Sequence, residues 1–274
     1  MLMLPKSLAV LGPILYLIYA NDLCNINIQG QIISFADDTA LLFQANTWEG
    51  VVRLAEGELG RIKKWLNDNL LTLNFSKTKF LAFSLAATNQ IQQQTITLHD
   101  CTTNPDQQCN CPSISQADEI TYLGLVIDDR LHWDKNTTNT TTKLRKLIYK
   151  FVQLRRFLAP SLLRSIYHAL VESTLTYGIL AWGGTNNTYI DSLNKTPKLI
   201  LRIINFKPSR YPSEALFKEY QVLSIRQHYI KKLLIYYRTH TSLNQTPAHN
   251  TRTRNINLTI PRIKQHLPKN TLFT

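Results

Sequence analysis

Residues 31–43, QIISFADDTALLF, consist of two short apolar runs on either side of Ala36-Asp37-Asp38. Each run has the length and the β-branched and aromatic content of a strand, and the polar residues between them suit a turn. The stretch therefore reads as a β-hairpin with two carboxylates at its tip. Adjacent aspartates repel at close range unless a cation lies nearby. Hard oxygen donors held at the end of a hairpin suit Mg²⁺. An ordinary polar turn is the alternative reading, and the hairpin alone does not decide between them.

Outward from the hairpin, residues 11–23, LGPILYLIYANDL, predict a buried helix with Pro13 in its first turn. On the other side, Thr47 to Asn69 has helical spacing, with Val51, Ala55, Leu59, Ile62 and Leu66 on one face. Leu70 to Ser84 reads as a return to strand with a turn from Asn74 to Lys77. Residues 86–117 are polar and rich in Gln, Thr and Asn, and read as an insertion. Ile120 to Ile127 reads as one strand. Four helices follow: Lys143–Phe157, Pro160–Ser173, Tyr189–Ile204, which Pro197 should disturb, and Ile225–Arg238, capped by Ser224. From Asn244 the chain is polar and basic.

Charge divides the chain at the same place as the pattern. Residues 1–135 hold 9 Lys/Arg against 14 Asp/Glu, a net of −5. Residues 136–274 hold 22 Lys/Arg against 4 Asp/Glu, a net of +18. A half this basic points to a polyanionic partner, most often nucleic acid. Lys143, Arg145, Lys146, Lys150, Arg155 and Arg156 cluster on the first helix of that half. They are the candidate contacts to a phosphate backbone, and a solvated face is the alternative. Cys24, Cys101, Cys109 and Cys111 are too few for a secreted disulfide scaffold. The apolar run from Leu8 to Ala20 is too short to span a bilayer. The expectation is no membrane partner and an intracellular setting, nucleus or cytoplasm. The Asn-x-Thr triplets at Asn136 and Asn139 carry little weight in an Asn/Thr-rich segment.

Several segments, in one order, resemble the reverse transcriptases of non-LTR (LINE-type, jockey-like) retrotransposons. Leu11-Gly12-Pro13-Ile14-Leu15 through Tyr19-Ala20-Asn21-Asp22-Leu23 resembles the segment before that family's catalytic hairpin. Phe35-Ala36-Asp37-Asp38-Thr39 resembles the hairpin itself. Trp65-Leu66, Asn69, Leu73-Asn74 and Lys77-Thr78 resemble the next motif, and Tyr122-Leu123-Gly124 with Asp128 the primer grip. Tyr177-Gly178 with Trp182, and Leu201-Arg202-Ile203-Ile204, resemble the helical region beyond the palm.

The resemblance implies an α+β fold. Residues 1–135 would be a partial polymerase palm, an antiparallel sheet with packed helices, interrupted by the polar insertion. Residues 136–243 would be a helical thumb-like region, and 244–274 a polar basic tail. It implies Mg²⁺ as cofactor, with Asp37 and Asp38 as ligands, and RNA template with DNA primer as partners. Phe35 and Ala36 would border the nucleotide, Lys77 the leaving pyrophosphate, and Tyr122, Leu123 and Gly124 the primer end. Tyr177 and Trp182 read as core rather than as stacking platforms.

The family's catalytic site also uses a third carboxylate, on a strand ahead of the hairpin. No Asp or Glu precedes Asp22 here, and Pro5-Lys6-Ser7-Leu8-Ala9-Val10 stands where the family has a Pro-Gln-Gly run. The expectation is a chain with part of the machinery, inactive alone, and an exposed apolar patch around Leu8 to Leu17. The alternative is a remnant that binds nucleic acid through its basic half without catalysis.

Overall fold

The computed structural model describes residues 6–84, 95–98, 111–240 and 270–273. They form a mixed α/β molecule that separates into two compact units. The first comprises residues 1–124, 128–131 and 261–274, and the second 125–127 and 132–260.

In the first unit, α1 (Lys6–Ala20) and a 3₁₀ turn (Asn21–Asn25) lead into β1 (Gln31–Phe35) and β2 (Asp38–Ala45). Helix α2 (Trp48–Asp68) follows, then β3 (Lys79–Ser84), β4 (Thr95–Thr97), β5 (Ser113–Gln116) and β6 (Glu119–Tyr122). The last strand of the unit, β8 (Asn270–Phe273), comes from the far end of the sequence. The six-stranded sheet runs β1-β2-β8-β3-β5-β4. Its pairs are antiparallel except β3 with β5. Helix α2 forms where its spacing predicts. Thr47 caps it by accepting from the Gly50 amide at 3.1 Å, and Val51, Ala55, Leu59 and Ile62 are buried. That face joins Leu41, Phe43, Phe80, Ile96 and Ile114 in one core.

The second unit holds β7 (Leu125–Asp128, of which Asp128 belongs to the first unit) and the remaining helices. These are α3 (Asp134–Leu154), α4 (Pro160–Tyr167), a π-turn (His168–Glu172), α5 (Ser173–Thr176), α6 (Ile179–Trp182), α7 (Asn187–Ile204), α8 (Ser213–Glu219) and α9 (Ile225–His240). Helix α3 packs along α7. Leu144, Phe151, Leu163, Val171, Leu193 and Ile200 are buried in this unit. Trp182 is buried too, with its indole N–H donating to the Tyr177 carbonyl at 2.9 Å. Ser224 and Gln227 close the start of α9 reciprocally: the Ser224 amide donates to Gln227 Oε1 at 2.8 Å and the Gln227 amide to Ser224 Oγ at 3.4 Å. Gly178 has φ +59°, and a Cβ there would lie 2.6 Å from Leu125 Cδ1, so both backbone and packing demand glycine.

Several expectations need correction. Helix α1 starts earlier than its apolar run, and Pro13 lies inside it rather than in its first turn. It is not buried. Leu11, Leu15, Leu17 and Ile18 are each more than half exposed, because no described element of the first unit covers them. The single strand expected from Ile120 to Ile127 is broken by a turn, with φ 46° at Leu123 and 79° at Gly124. The polar insertion contains β4 and β5, and the expected tail supplies β8; apart from Leu98, Cys111, Pro112 and Ala117, the rest of both lies outside the described residues. Pro197 does not interrupt α7, which runs through it with the ring buried. Helix α3 begins at Asp134, well before Lys143, and buries Asn136, Thr137, Thr140 and Thr141. Thr140 and Thr141 satisfy their hydroxyls on the Asn136 and Thr137 carbonyls, at 2.9 and 2.8 Å. Tyr177, expected in the core, is 55% exposed.

One buried group makes this unit sensitive to acid. His228 on α9 is buried, with Nε2 3.6 Å from Glu172, which also bonds His168. Burial holds the His228 imidazole below its ordinary value; Glu172 opposes that, and Lys231, His168 and Lys232 add to it. The unfolded chain then takes up this proton at higher pH than the folded one. Stability is fully present above the ordinary histidine value of about 6.5 and falls as pH drops through and below it. Melting followed at about pH 7.5 and about pH 5 should show the loss, and His228→Gln should reduce the difference. An equal pH response in His228→Gln would rule this group out.

Candidate active site and nucleic-acid interface

The hairpin forms in the expected register. Phe35 pairs with Asp38, Ser34 with Thr39 and Ile33 with Ala40. Two residues, Ala36 and Asp37, make the turn, and Ala36 has φ 53°. An L-residue in that region is strained, and such strain is found where surrounding structure fixes a functional turn. Asp37 and Asp38 are exposed at the tip, while Ala40, Leu41 and Phe43 on β2 anchor the strand in the core. Phe35 is 64% exposed beside them.

The aspartates border a cavity of about 730 Å³. Lys77 and Tyr122 line the same cavity, together with Leu59, Ile62 and Leu66 of α2. Three separate motifs of the sequence thus meet at one site. Asn74 places Lys77: its side-chain oxygen accepts from the Lys77 amide at 3.2 Å and from Ser76 Oγ at 2.7 Å, and its carbonyl accepts from Thr78 Oγ1 at 2.9 Å. The sequence marked Asn74 only as part of a motif, yet its Asx-type turn is legible there. Tyr122 donates its hydroxyl to the Ile33 carbonyl at 3.4 Å, tying β6 to the hairpin. Desolvation, then the charge of Asp38, raises the Tyr122 pKa, so the phenol stays protonated. Leu123 and Gly124 make the turn after it.

As hard oxygen donors on a fixed turn, Asp37 and Asp38 suit a magnesium ion. Among the described residues no group of three or more His, Cys, Asp and Glu side chains comes together as a metal site. Cys101 and Cys109 lie outside the described residues.

The segment that holds the hairpin is similar to known proteins. Residues 9–127 match the family model described as reverse transcriptase (RNA-dependent DNA polymerase). That segment is similar to the reverse transcriptases of non-LTR retrotransposons. A probable RNA-directed DNA polymerase from transposon X-element of Drosophila melanogaster is 24% identical over 203 residues, covering 72% of this chain and 21% of the relative. The RNA-directed DNA polymerase from mobile element jockey of Drosophila funebris is 26% identical over 210 residues, covering 73% and 21%. A probable RNA-directed DNA polymerase from transposon BS of Drosophila melanogaster is 26% identical over 188 residues, covering 64% and 19%. The chain thus spans about a fifth of the length of these curated relatives. No solved structure matches it.

The matched segment ends before the basic helices of the second unit. On α3, Lys143, Arg145, Lys146 and Lys150 are exposed, as is Arg156 just beyond it. Lys143, Lys146 and Lys150 recur at the spacing of one helix face. Arg155 differs from the rest of this cluster. Its guanidinium donates to the Ile203 carbonyl at 3.3 Å and lies 5.1 Å from the Phe206 ring centroid, so it clamps the end of α7. Tyr149, 70% exposed between Lys146 and Lys150, was not singled out from the sequence. An exposed aromatic among lysines on a helix offers a face on which a base can stack, and that interleaving was its signal. No described helix is long and apolar enough to cross a membrane.

Proposed function

We propose that this chain is the catalytic-hairpin part of the palm of an RNA-directed DNA polymerase, followed by a basic thumb-like region, and that alone it does not polymerise. The observation that carries the proposal is the convergence of Asp37, Asp38, Lys77 and Tyr122 on one cavity. DNA synthesis joins a primer 3′-hydroxyl to the α-phosphate of a nucleoside triphosphate and expels pyrophosphate. Asp37 and Asp38 would hold the magnesium; when bound, it makes the hydroxyl a better nucleophile and neutralises phosphate charge. Lys77, set by Asn74, places a cation for the leaving pyrophosphate. Phe35 and Ala36 flank the nucleotide side of the turn. Tyr122, Leu123 and Gly124 hold the primer end, with the neutral phenol fixing β6 to the hairpin. Residues 136–243 act as the thumb and hold the RNA–DNA duplex through its phosphates. Two carboxylates from one turn do not fix two ions, and a small loss of positioning costs orders of magnitude in rate.

Primer extension on an RNA template with Mg²⁺ tests this. Residues 1–274 should be inert. The same chain fused behind the corresponding upstream segment of the jockey polymerase should extend the primer. Extension by residues 1–274 that requires Asp37 would refute the need for a further carboxylate. An inert fusion that still binds the duplex would favour a nucleic-acid-binding role without catalysis, carried by the net charge of residues 136–274.

A further inference from the structure

Residues of α7, α8 and α9 line a second cavity, of about 600 Å³, wholly within the second unit. It shares no lining residue with the cavity at the hairpin. Its size falls in the range of small-ligand sites, roughly 300–1,000 Å³. Glu214, Phe217 and Lys218 stand at i, i+3 and i+4 on α8, so one face of that helix supplies all three. Gln221 follows just past the helix end with φ 50°. Glycine takes that conformation most easily at a helix end, yet this position carries a long amide side chain. Val222, which is buried, and Leu223, half-buried, give the wall an apolar part.

The charges in the wall are not used up by each other. Lys198 Nζ lies 5.9 Å from the Phe217 ring centroid. Among the described residues neither Lys198 nor Lys218 pairs with a carboxylate, although Glu214 is one turn before Lys218. The cavity therefore combines a half-buried aromatic ring, two cations, a carboxylate and an amide. These groups match the parts of a nucleotide. A ring stacks a base, lysines take a phosphate, and Glu214 and Gln221 can meet the donors and acceptors of a base edge. An acidic peptide would also meet the lysines, but Glu214 would repel it. A duplex keeps its bases paired and stacked, whereas an unpaired base is free to turn into a cavity.

We propose that this cavity holds one unpaired nucleotide of a single-stranded RNA or DNA. Phe217 stacks on the base, Lys198 and Lys218 hold the phosphate, and Glu214 and Gln221 meet the base edge. Lys195, exposed one turn before Lys198 on α7, continues the phosphate track outside the cavity. The proposal rests on the reading that the basic half binds nucleic acid, and it adds a site for single strands to the duplex track along α3. It does not depend on catalysis or on any metal.

Anisotropy titrations of the full chain with a labelled single-stranded RNA of about eight nucleotides, and in parallel with a duplex, test it. Phe217→Ala should weaken single-strand binding by about tenfold and Phe217→Tyr should retain it, because one base–aromatic stack carries that much affinity. Duplex binding should stay within about twofold in both variants. Lys218 is exposed, so Lys218→Gln leaves the packing of α8 intact. It should lower the slope of log affinity against log salt by about 0.7 for the single strand only. Photocross-linking of the same strand carrying 5-iodouridine should place the adduct on Phe217. Single-strand binding unchanged in Phe217→Ala and Lys218→Gln, equal losses for single strand and duplex, or an adduct confined to other helices would each overturn the proposal. A parent chain that binds neither probe would instead overturn the reading of the basic half on which it rests.

Discussion

Asp37→Ala in the fused, polymerase-competent chain is expected to lower primer extension by at least about 10³-fold. The reason lies in the turn. Asp37 sits at its second position, behind Ala36 at φ 53°, and the register Phe35↔Asp38 leaves neither carboxylate free to move along the strand. A ligand fixed by backbone cannot be replaced by a neighbour that relaxes into its place. Loss of Asp37 would therefore weaken the hold on the magnesium whose charge would balance the developing phosphate charge, and nucleotide affinity should change far less than the maximal rate. Asp22, exposed in the 3₁₀ turn after α1, is the control, and Asp22→Ala should stay near the parent rate. Single-turnover extension with the parent, Asp37→Ala and Asp22→Ala chains measures the difference. Activity that survives Asp37→Ala would mean that this hairpin is not the metal site.

The second large effect concerns salt. The full chain should bind RNA or DNA duplex without sequence preference, and affinity should fall steeply with ionic strength. If Lys143, Arg145, Lys146, Lys150 and Arg156 each neutralise one phosphate, raising salt from about 50 to about 200 mM should weaken binding by about 10²–10³-fold. Each of Lys146→Gln and Lys150→Gln should reduce the slope of log affinity against log salt by about 0.7–0.9. Arg155→Gln should behave differently. Its guanidinium is engaged with the Ile203 carbonyl and the Phe206 ring, so its loss should lower the melting temperature of the second unit and hardly alter the slope. Fluorescence anisotropy at a series of salt concentrations reads the slopes, and thermal melting of Arg155→Gln reads the loss of stability. Affinity independent of salt would refute a phosphate-tracking role for α3.

The candidate site was largely legible because its parts are local. A hairpin tip, an Asx-type turn and a short Tyr-Leu-Gly run each announce themselves within a few residues. The arrangement of Lys77 was less visible: Asn74 holds it, and that role shows only when the hydrogen bonds are traced. Arg155 and Tyr149 could not be sorted by charge and aromaticity alone. Both lie on or just beyond one basic helix, and packing against α7 decides which side chain is engaged and which stands in solvent.

By itself the sequence determined the hairpin and its two aspartates, the span of α2 and the division of charge between the halves. Those features rest on periodicity, turn chemistry and composition, which act over a few residues and need no distant partner. Only the tertiary structure decided which apolar segment is covered. Helix α1 has the pattern of a core helix and yet Leu11, Ile14, Leu15 and Leu17 are exposed, as the resemblance, though not the periodicity, implied, since apolarity states a preference for burial and not the presence of a covering surface. It also decided the strand order. Asn270–Phe273 is too short and too polar in its surroundings to be recognised as a strand, and it becomes one because the open edges of β2 and β3 supply hydrogen-bond partners on both sides.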